Sequence, residues 1–152
     1  MLKKTLTAAV LATFVGSTAF AHQGATGIVK ERMEAMSAMK DALAVIGRML
    51  KGETGFDATQ AVQAADAIAQ HADEMRALFP DTPESRQKAS EATPLVWEQP
   101  ERFAELAQEL MNEASLLSDV AAAGKEAELL PRFRSVGKAC TACHEDFRQN
   151  KS

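Results

Sequence analysis

Basic clusters interleaved with aromatic side chains are missing from this chain, which has 17 basic against 21 acidic residues in 152, a single tryptophan and no tyrosine. Without a cationic stripe or stacking rings, nucleic acid is not an expected partner. Past the first 21 residues no second long apolar run occurs, so nothing there predicts a bilayer-spanning segment, which takes roughly 20 apolar residues. Alternation of apolar and polar residues with period two is also lacking, which argues against a sheet. No internal repeat is present, and no low-complexity segment beyond the alanine richness. What the chain does hold is apolar residues recurring at three and four, and one dense run of reactive side chains, KACTACHEDFR, from Lys138 to Arg148.

The opening MLKKTLTAAVLATFVGSTAFA has a basic start at Lys3 and Lys4, a short apolar run interrupted by Thr7, Thr13 and Ser17, and the small-x-small pattern Ala19-Phe20-Ala21 that signal peptidase cuts. The expectation is a secretory signal over residues 1–21 and one domain over residues 22–152, beginning at His22. Cleavage removes two of the 17 basic residues and none of the 21 acidic ones, so the formal charge moves from −4 to −6. A small acidic domain remains, with no membrane insertion after cleavage. In a Gram-negative bacterium its compartment is the periplasm.

Four amphipathic segments predict an all-α fold, an antiparallel four-helix bundle. The first runs from about Thr26 to Leu50, with Val29, Leu43, Ile46 and Leu50 in one arc and Gly52 placed to end it. Asp57 with Gln60 three residues on forms a capping-box arrangement for the second, which reaches to about Phe79 before Pro80. A connection rich in proline (Pro80, Pro83, Pro94, Pro100) follows. The third helix spans about Pro100 to Ala123, with Phe103 and Leu117 inward and Gly124 as a C-cap signal. The fourth carries Leu129, Val136 and the reactive run; Pro131 fits it only in the first turn, which predicts a start no earlier than about Ala127.

On that fourth helix, at about 100° per residue, Cys140, Cys143 and His144 share an arc of about 100° that coincides with the apolar stripe. Three reactive side chains point inward together. A closed zinc site needs four ligands, and no further cysteine or suitably placed histidine supplies one. A thioredoxin-type dithiol sits beside a βαβ pattern, which is absent. A disulfide one turn long closes too small a loop to stabilise much. The pattern that remains is C-x-x-C-H as covalent haem attachment, in which two thiols take up the cofactor's vinyl groups and the histidine becomes an axial iron ligand.

CTACHEDFR, preceded by Val136-Gly137-Lys138, resembles the class II cytochromes c, the cytochrome c′ family of exported four-helix bundles. The resemblance extends over the mature chain, through the Arg32 to Met36 segment, LKGETGFD at Leu50 to Asp57, and the Trp97 and Phe103 pair. It implies one haem c per chain carried by Cys140 and Cys143 on the C-terminal helix, His144 as proximal ligand, and Arg148 as the basic residue one turn beyond. Arg148 also suits the negative end of a helix dipole.

The sixth coordination position separates electron transfer from gas binding. With Met36 as origin, the apolar stripe of the first helix centres near about 330°, which leaves Met36 and Met39 each about 30° away and Met33 about 90° away. Periodicity does not choose between Met36 and Met39, and both also suit gap-filling core positions. The resemblance places Met36 over the iron, and with methionine ligated there implies a low-spin, six-coordinate electron carrier. Arg32 lies at about 320° on the same wheel. It either pairs with a haem propionate or snorkels to water. His71 falls about 100° from its helix's stripe and reads as a flanking residue.

These readings give an electron-transfer cytochrome, not an enzyme, with His144 and Met36 as axial ligands and redox proteins of the periplasm as partners. The alternative is a five-coordinate haem that binds nitric oxide or carbon monoxide. The family includes homodimers, for which Met33 and Met49 are the expected contact points.

Overall fold

The computed structural model describes residues 25–87 and 89–149; the expected signal segment and His22 lie outside the described residues. Four long helices form the bundle: α1 (Gly27–Leu50), α2 (Ala58–Asp73), α4 (Pro100–Ala122) and α5 (Glu126–Phe147), with a single-turn α3 (Leu95–Glu98) before α4. Among the described residues the only sheet-like pairing is one antiparallel bridge, Ala92 with Arg148.

The helix ends follow from local chemistry. Asp57 accepts from the Gln60 backbone N–H at 3.0 Å, which satisfies one of the orphan donors at the start of α2. Pro100 occupies the first turn of α4, where its missing N–H costs nothing. Gly52 (φ 72°) and Gly124 (φ 65°) turn the chain out of α1 and α4 through the left-handed region, open to glycine without a Cβ clash.

Three differences from the sequence expectations have physical causes. α2 ends at Asp73 and continues to Leu78 as a tighter 3-10 helix, short of Phe79. The proline-rich connection contains a helical turn, α3, started at Pro94 and carrying Trp97. Pro131 lies inside α5, beyond the first turn, because the helix starts at Glu126. The backbone bond it forfeits is the one to Ala127, in an exposed turn where water substitutes.

Packing runs in sequence: α1 against α2, α2 broadly against α4, α4 against α5. Alanines at 61, 64, 65 and 72 form the buried face of α2 and let α4 approach closely. Ile68, Leu106, Leu117 and Val136 fill the centre; a side chain such as Leu117, with no exposed surface, contributes about 2 kcal/mol by burial. The fourth seam differs, since α1 and α5 meet at few points. Met33 and Met49 are half-buried, and Leu116 and Leu130 are the exposed large apolar residues among those described.

Candidate functional site

The open seam between α1 and α5 is where the reactive residues gather. A cleft of about 360 Å³ lies there, with Cys143 and His144 of α5 on one side and Met33 and Met36 of α1 on the other. Phe79, Phe103 and Phe147 form its apolar back wall. Their rings stack edge to face, with centroids 4.8 Å apart for Phe79 and Phe103 and 5.2 Å for Phe103 and Phe147.

The structure separates the two methionines that periodicity left equal. Met36 lines the cleft, whereas Met39 is 6% exposed and belongs to the bundle core. His71 lies away from the cleft, half-buried, with Nδ1 3.8 Å from a Glu74 carboxylate oxygen.

Both cysteines are free and half-buried. Burial pushes the Cys143 thiol up to about 11 and raises Cys140 as well, so both are protonated at neutral pH. His144 is exposed as a residue where it opens onto the cleft, yet the protein packed about its ring holds the imidazole below its ordinary value. Arg148 adds to that drop and Glu91 opposes it. A neutral imidazole is the form that ligates iron.

Arg32 is 4% exposed, which rules out snorkelling to water. Its five N–H groups are all used. Nε and one terminal nitrogen donate to the Leu78 carbonyl at 3.1 and 2.9 Å. The same terminal nitrogen donates to Ser85 Oγ at 2.7 Å, and the other to the Ser85 carbonyl at 3.3 Å and to Ser90 Oγ. The guanidinium also lies 3.7 Å from the centre of the Phe79 ring. Burial lowers it to about 10, still charged at neutral pH.

Arg148 grips Glu91 through Nε and a terminal nitrogen at 3.0 and 2.8 Å, both to Oε2. Beside that pair, Thr93 N donates to the Phe147 carbonyl at 2.9 Å and Gln149 N to the Glu91 carbonyl at 2.8 Å. Residues 85–87 and 89–93 therefore act as a strap, tied to α1 through Arg32 and to the end of α5 through this short ladder. Sequence reasoning missed Ser85, Ser90 and Glu91. Their partners lie 53 to 58 residues away in the chain, and no local pattern marks them.

These residues fit a covalent haem. Two thiols one turn apart and an imidazole lie on one helix, Cys143 and His144 line the cleft while Cys140 packs against the core beside it, and Arg32, Lys40 and Arg148 bring positive charge to the lining. Among the described residues no group of three or more His, Cys, Asp or Glu could hold a bare metal ion.

Comparison with known proteins agrees. The family profile described as Cytochrome C' matches residues 27–148. Cytochrome c-554 of Cereibacter sphaeroides is 35% identical over 124 residues, which cover 80% of this chain and 80% of that protein. A nitric oxide complex of a variant cytochrome c prime from Alcaligenes xylosoxidans superposes with a TM-score of 0.72 at 27% identity, covering 82% of this chain and 94% of that one. A cytochrome c' described as having an unusual ligand-controlled dimer dissociation superposes with a TM-score of 0.73 at 27% identity, covering 81% and 95%. With a profile that runs through all four long helices to residue 148, four beyond the C-x-x-C-H motif, the chain belongs to the cytochrome c′ family, the class II cytochromes c, and carries covalent haem c through Cys140 and Cys143.

Proposed function

We propose that this protein is a periplasmic electron carrier whose haem iron is held between His144 on α5 and Met36 on α1. The observation that carries the reading is the placement of those two side chains on opposite walls of one cleft, with Met39 withdrawn into the core. The bound haem supplies a one-electron iron couple, and methionine as an axial ligand raises its potential. The chain's own residues do the rest. Cys140 and Cys143 fix the cofactor to α5, and the aromatic wall of Phe79, Phe103 and Phe147 keeps water from its back. Arg32 holds the strap that borders the cleft and, lining the cleft itself, brings a positive charge to the cofactor. Residues 1–21 act as the export signal, and the acidic surface of the mature domain steers basic redox partners at low salt. Homodimer formation is part of the proposal, supported by the relative described as a ligand-dissociable dimer.

Binding of nitric oxide or carbon monoxide is the second reading, favoured by the structure of a similar protein as a nitric oxide complex. The two separate by the visible and EPR spectra of the ferric protein near neutral pH and by carbon monoxide addition to the reduced protein. A low-spin spectrum with a sulfur-to-iron charge-transfer band and slow carbon monoxide uptake is expected. A high-spin spectrum with ready uptake would reduce Met36 to packing and install the gas-binding reading.

A further inference from the structure

Most exposed cations of the described residues have a carboxylate within 4.0 Å, but Arg134 and Lys138 of α5 have none. Four residues apart, both exposed and on one helix face, they repel each other, so their placement does nothing for the stability of α5. Between Leu129 and His144 the helix holds three cations, Arg132, Arg134 and Lys138, and no Asp or Glu. The acidic excess lies elsewhere: α4 has five acidic residues against one arginine.

Arg134 and Lys138 border a shallow groove of about 630 Å³ on the outer side of α5. Phe133, Gly137 and Ala142 give it apolar or bare-backbone surface, and Glu145 is its one acidic lining residue. Phe133 also reaches α1, with its ring tip 3.7 Å from where a Cβ on Gly47 would stand, so the groove adjoins the α1–α5 seam. Thr141 and Ala142, the two residues between Cys140 and Cys143, line it as well. A molecule seated there is separated from the haem attachment by one helix backbone.

We infer that this groove is the docking face for an acidic redox protein, an inference that rests on the electron-carrier reading above. Charge complementarity selects the partner. Because the chain does not neutralise Arg134 and Lys138 itself, a partner's carboxylates displace water there and break no existing ion pair. An apolar centre with a charged rim is the usual anatomy of an interface, and here the two cations stand beside Phe133 and Ala142. Charges at a solvated rim govern encounter rate and orientation more than affinity, which suits a carrier that must release its partner. The net charge of −6 after signal removal draws a basic partner toward the acidic α4 side. The groove takes a partner of the opposite sign, so donor and acceptor use different faces.

The test uses the haem-loaded protein and the variants Lys138→Glu, Arg134→Glu and Arg76→Glu. Arg76 lies exposed on the 3-10 helix, away from the groove, and its reversal changes the net charge equally. Haem content, the ferric spectrum and carbon monoxide uptake are scored first. The readout is the stopped-flow rate of reduction by flavodoxin hydroquinone, an acidic protein donor, against ionic strength. At about 0.1 M salt, where the screening length is about 10 Å, Lys138→Glu and Arg134→Glu are each expected to slow reduction about three- to tenfold, and Arg76→Glu less than about twofold. Wild-type reduction is expected to slow as salt rises, although two proteins of net negative charge should speed up. Equal rates in the three variants, or a wild-type rate that climbs with salt, would overturn the docking face and leave the electron-carrier reading standing. Capture of the wild type but not Lys138→Glu by vesicles of anionic phospholipid, with flavodoxin rates unmoved by the reversals, would give the cations to a membrane surface and overturn it too. A high-spin ferric spectrum with ready carbon monoxide uptake would overturn the electron-carrier reading, and the docking face with it.

Discussion

Replacing Arg32 with methionine keeps the apolar stem and removes the fork that ties the strap to α1. Five hydrogen bonds are lost, and the Leu78 and Ser85 carbonyls and the Ser85 and Ser90 hydroxyls lose their donor in a region with almost no solvent. Bonds to a charged group are worth about 1.5–3 kcal/mol each. They do not add here, because the guanidinium itself is costly to bury and the serine hydroxyls rotate to other acceptors. The cation–π contact with Phe79 is worth about 0.5–2 kcal/mol. Removing one partner of a buried charged network costs about 3–5 kcal/mol, and water entering from the cleft recovers part of that. The net expectation is about 2–4 kcal/mol, which for a domain of this size lowers Tm by roughly 6–16 °C. Because burial leaves the guanidinium near 10, the group stays charged and the loss is the same at pH 6 and pH 8. Urea unfolding gives the free energy, and amide exchange at Ser90 and Thr93 reports on the strap. The potential should fall as well, from loss of charge near the haem. A loss under about 1 kcal/mol with unchanged exchange of those amides would refute the anchoring role.

Met36→Ala and Met39→Ala should part company: the first converts the ferric spectrum from low to high spin and opens the reduced protein to carbon monoxide, whereas the second leaves the spectrum alone and costs about 2–5 kcal/mol through a core cavity. In the haem-free chain, burial holds the Cys143 thiol near 11 and Cys140 above its ordinary value, so alkylation by iodoacetamide is slow at pH 8. Since the folded thiols keep their protons longer than unfolded ones, haem-free stability should decline as pH rises from the unfolded thiol range near 9 toward 11, and the Cys143→Ala variant should show a shallower decline in thermal melts. The Asp57 carboxyl is held below its ordinary value by its bond from Gln60 N, so its contribution is present above the unfolded carboxylate range and fades as pH falls through the folded value; Asp57→Asn should remove that acid dependence while keeping the cap.

How much of this was legible in the sequence depends on the range of the interaction. α1 and α4 start and stop within a residue or so of where capping residues, Pro100 and Gly124 put them, because those signals are local. Cys140, Cys143 and His144 are legible for the same reason, three groups within five residues on one helix. Met36 and Met39 flank the stripe centre symmetrically, so only the partner helices decide which faces α5, and the structure gives Met36 to the cleft. Arg32 stood out as a charge on an apolar face, but its acceptors on the 3-10 helix and the strap follow from tertiary closure. The switch of α2 into a 3-10 turn and the insertion of α3 accompany a long-range contact, the Trp97 indole N–H donating to the Phe79 and Pro80 carbonyls at 3.2 and 3.1 Å, which no periodicity encodes.

The sparse seam between α1 and α5 also bears on how the chain is held in one topology. Every broad helix interface joins a long helix to the next long helix along the chain, so the protein by itself is an open stack whose first and last members are joined by few direct contacts and by the strap. Under the ligation proposed above, a cofactor bonded to Cys143 and held by Met36 would close that stack into a ring, cross-linking positions roughly 100 residues apart, for which the loop-closure contribution is about 4–5 kcal/mol. Loss of the Met36 bond would then do more than alter a spectrum: it would reopen the longest loop in the fold and return the first helix to the looser ensemble of the unlinked chain.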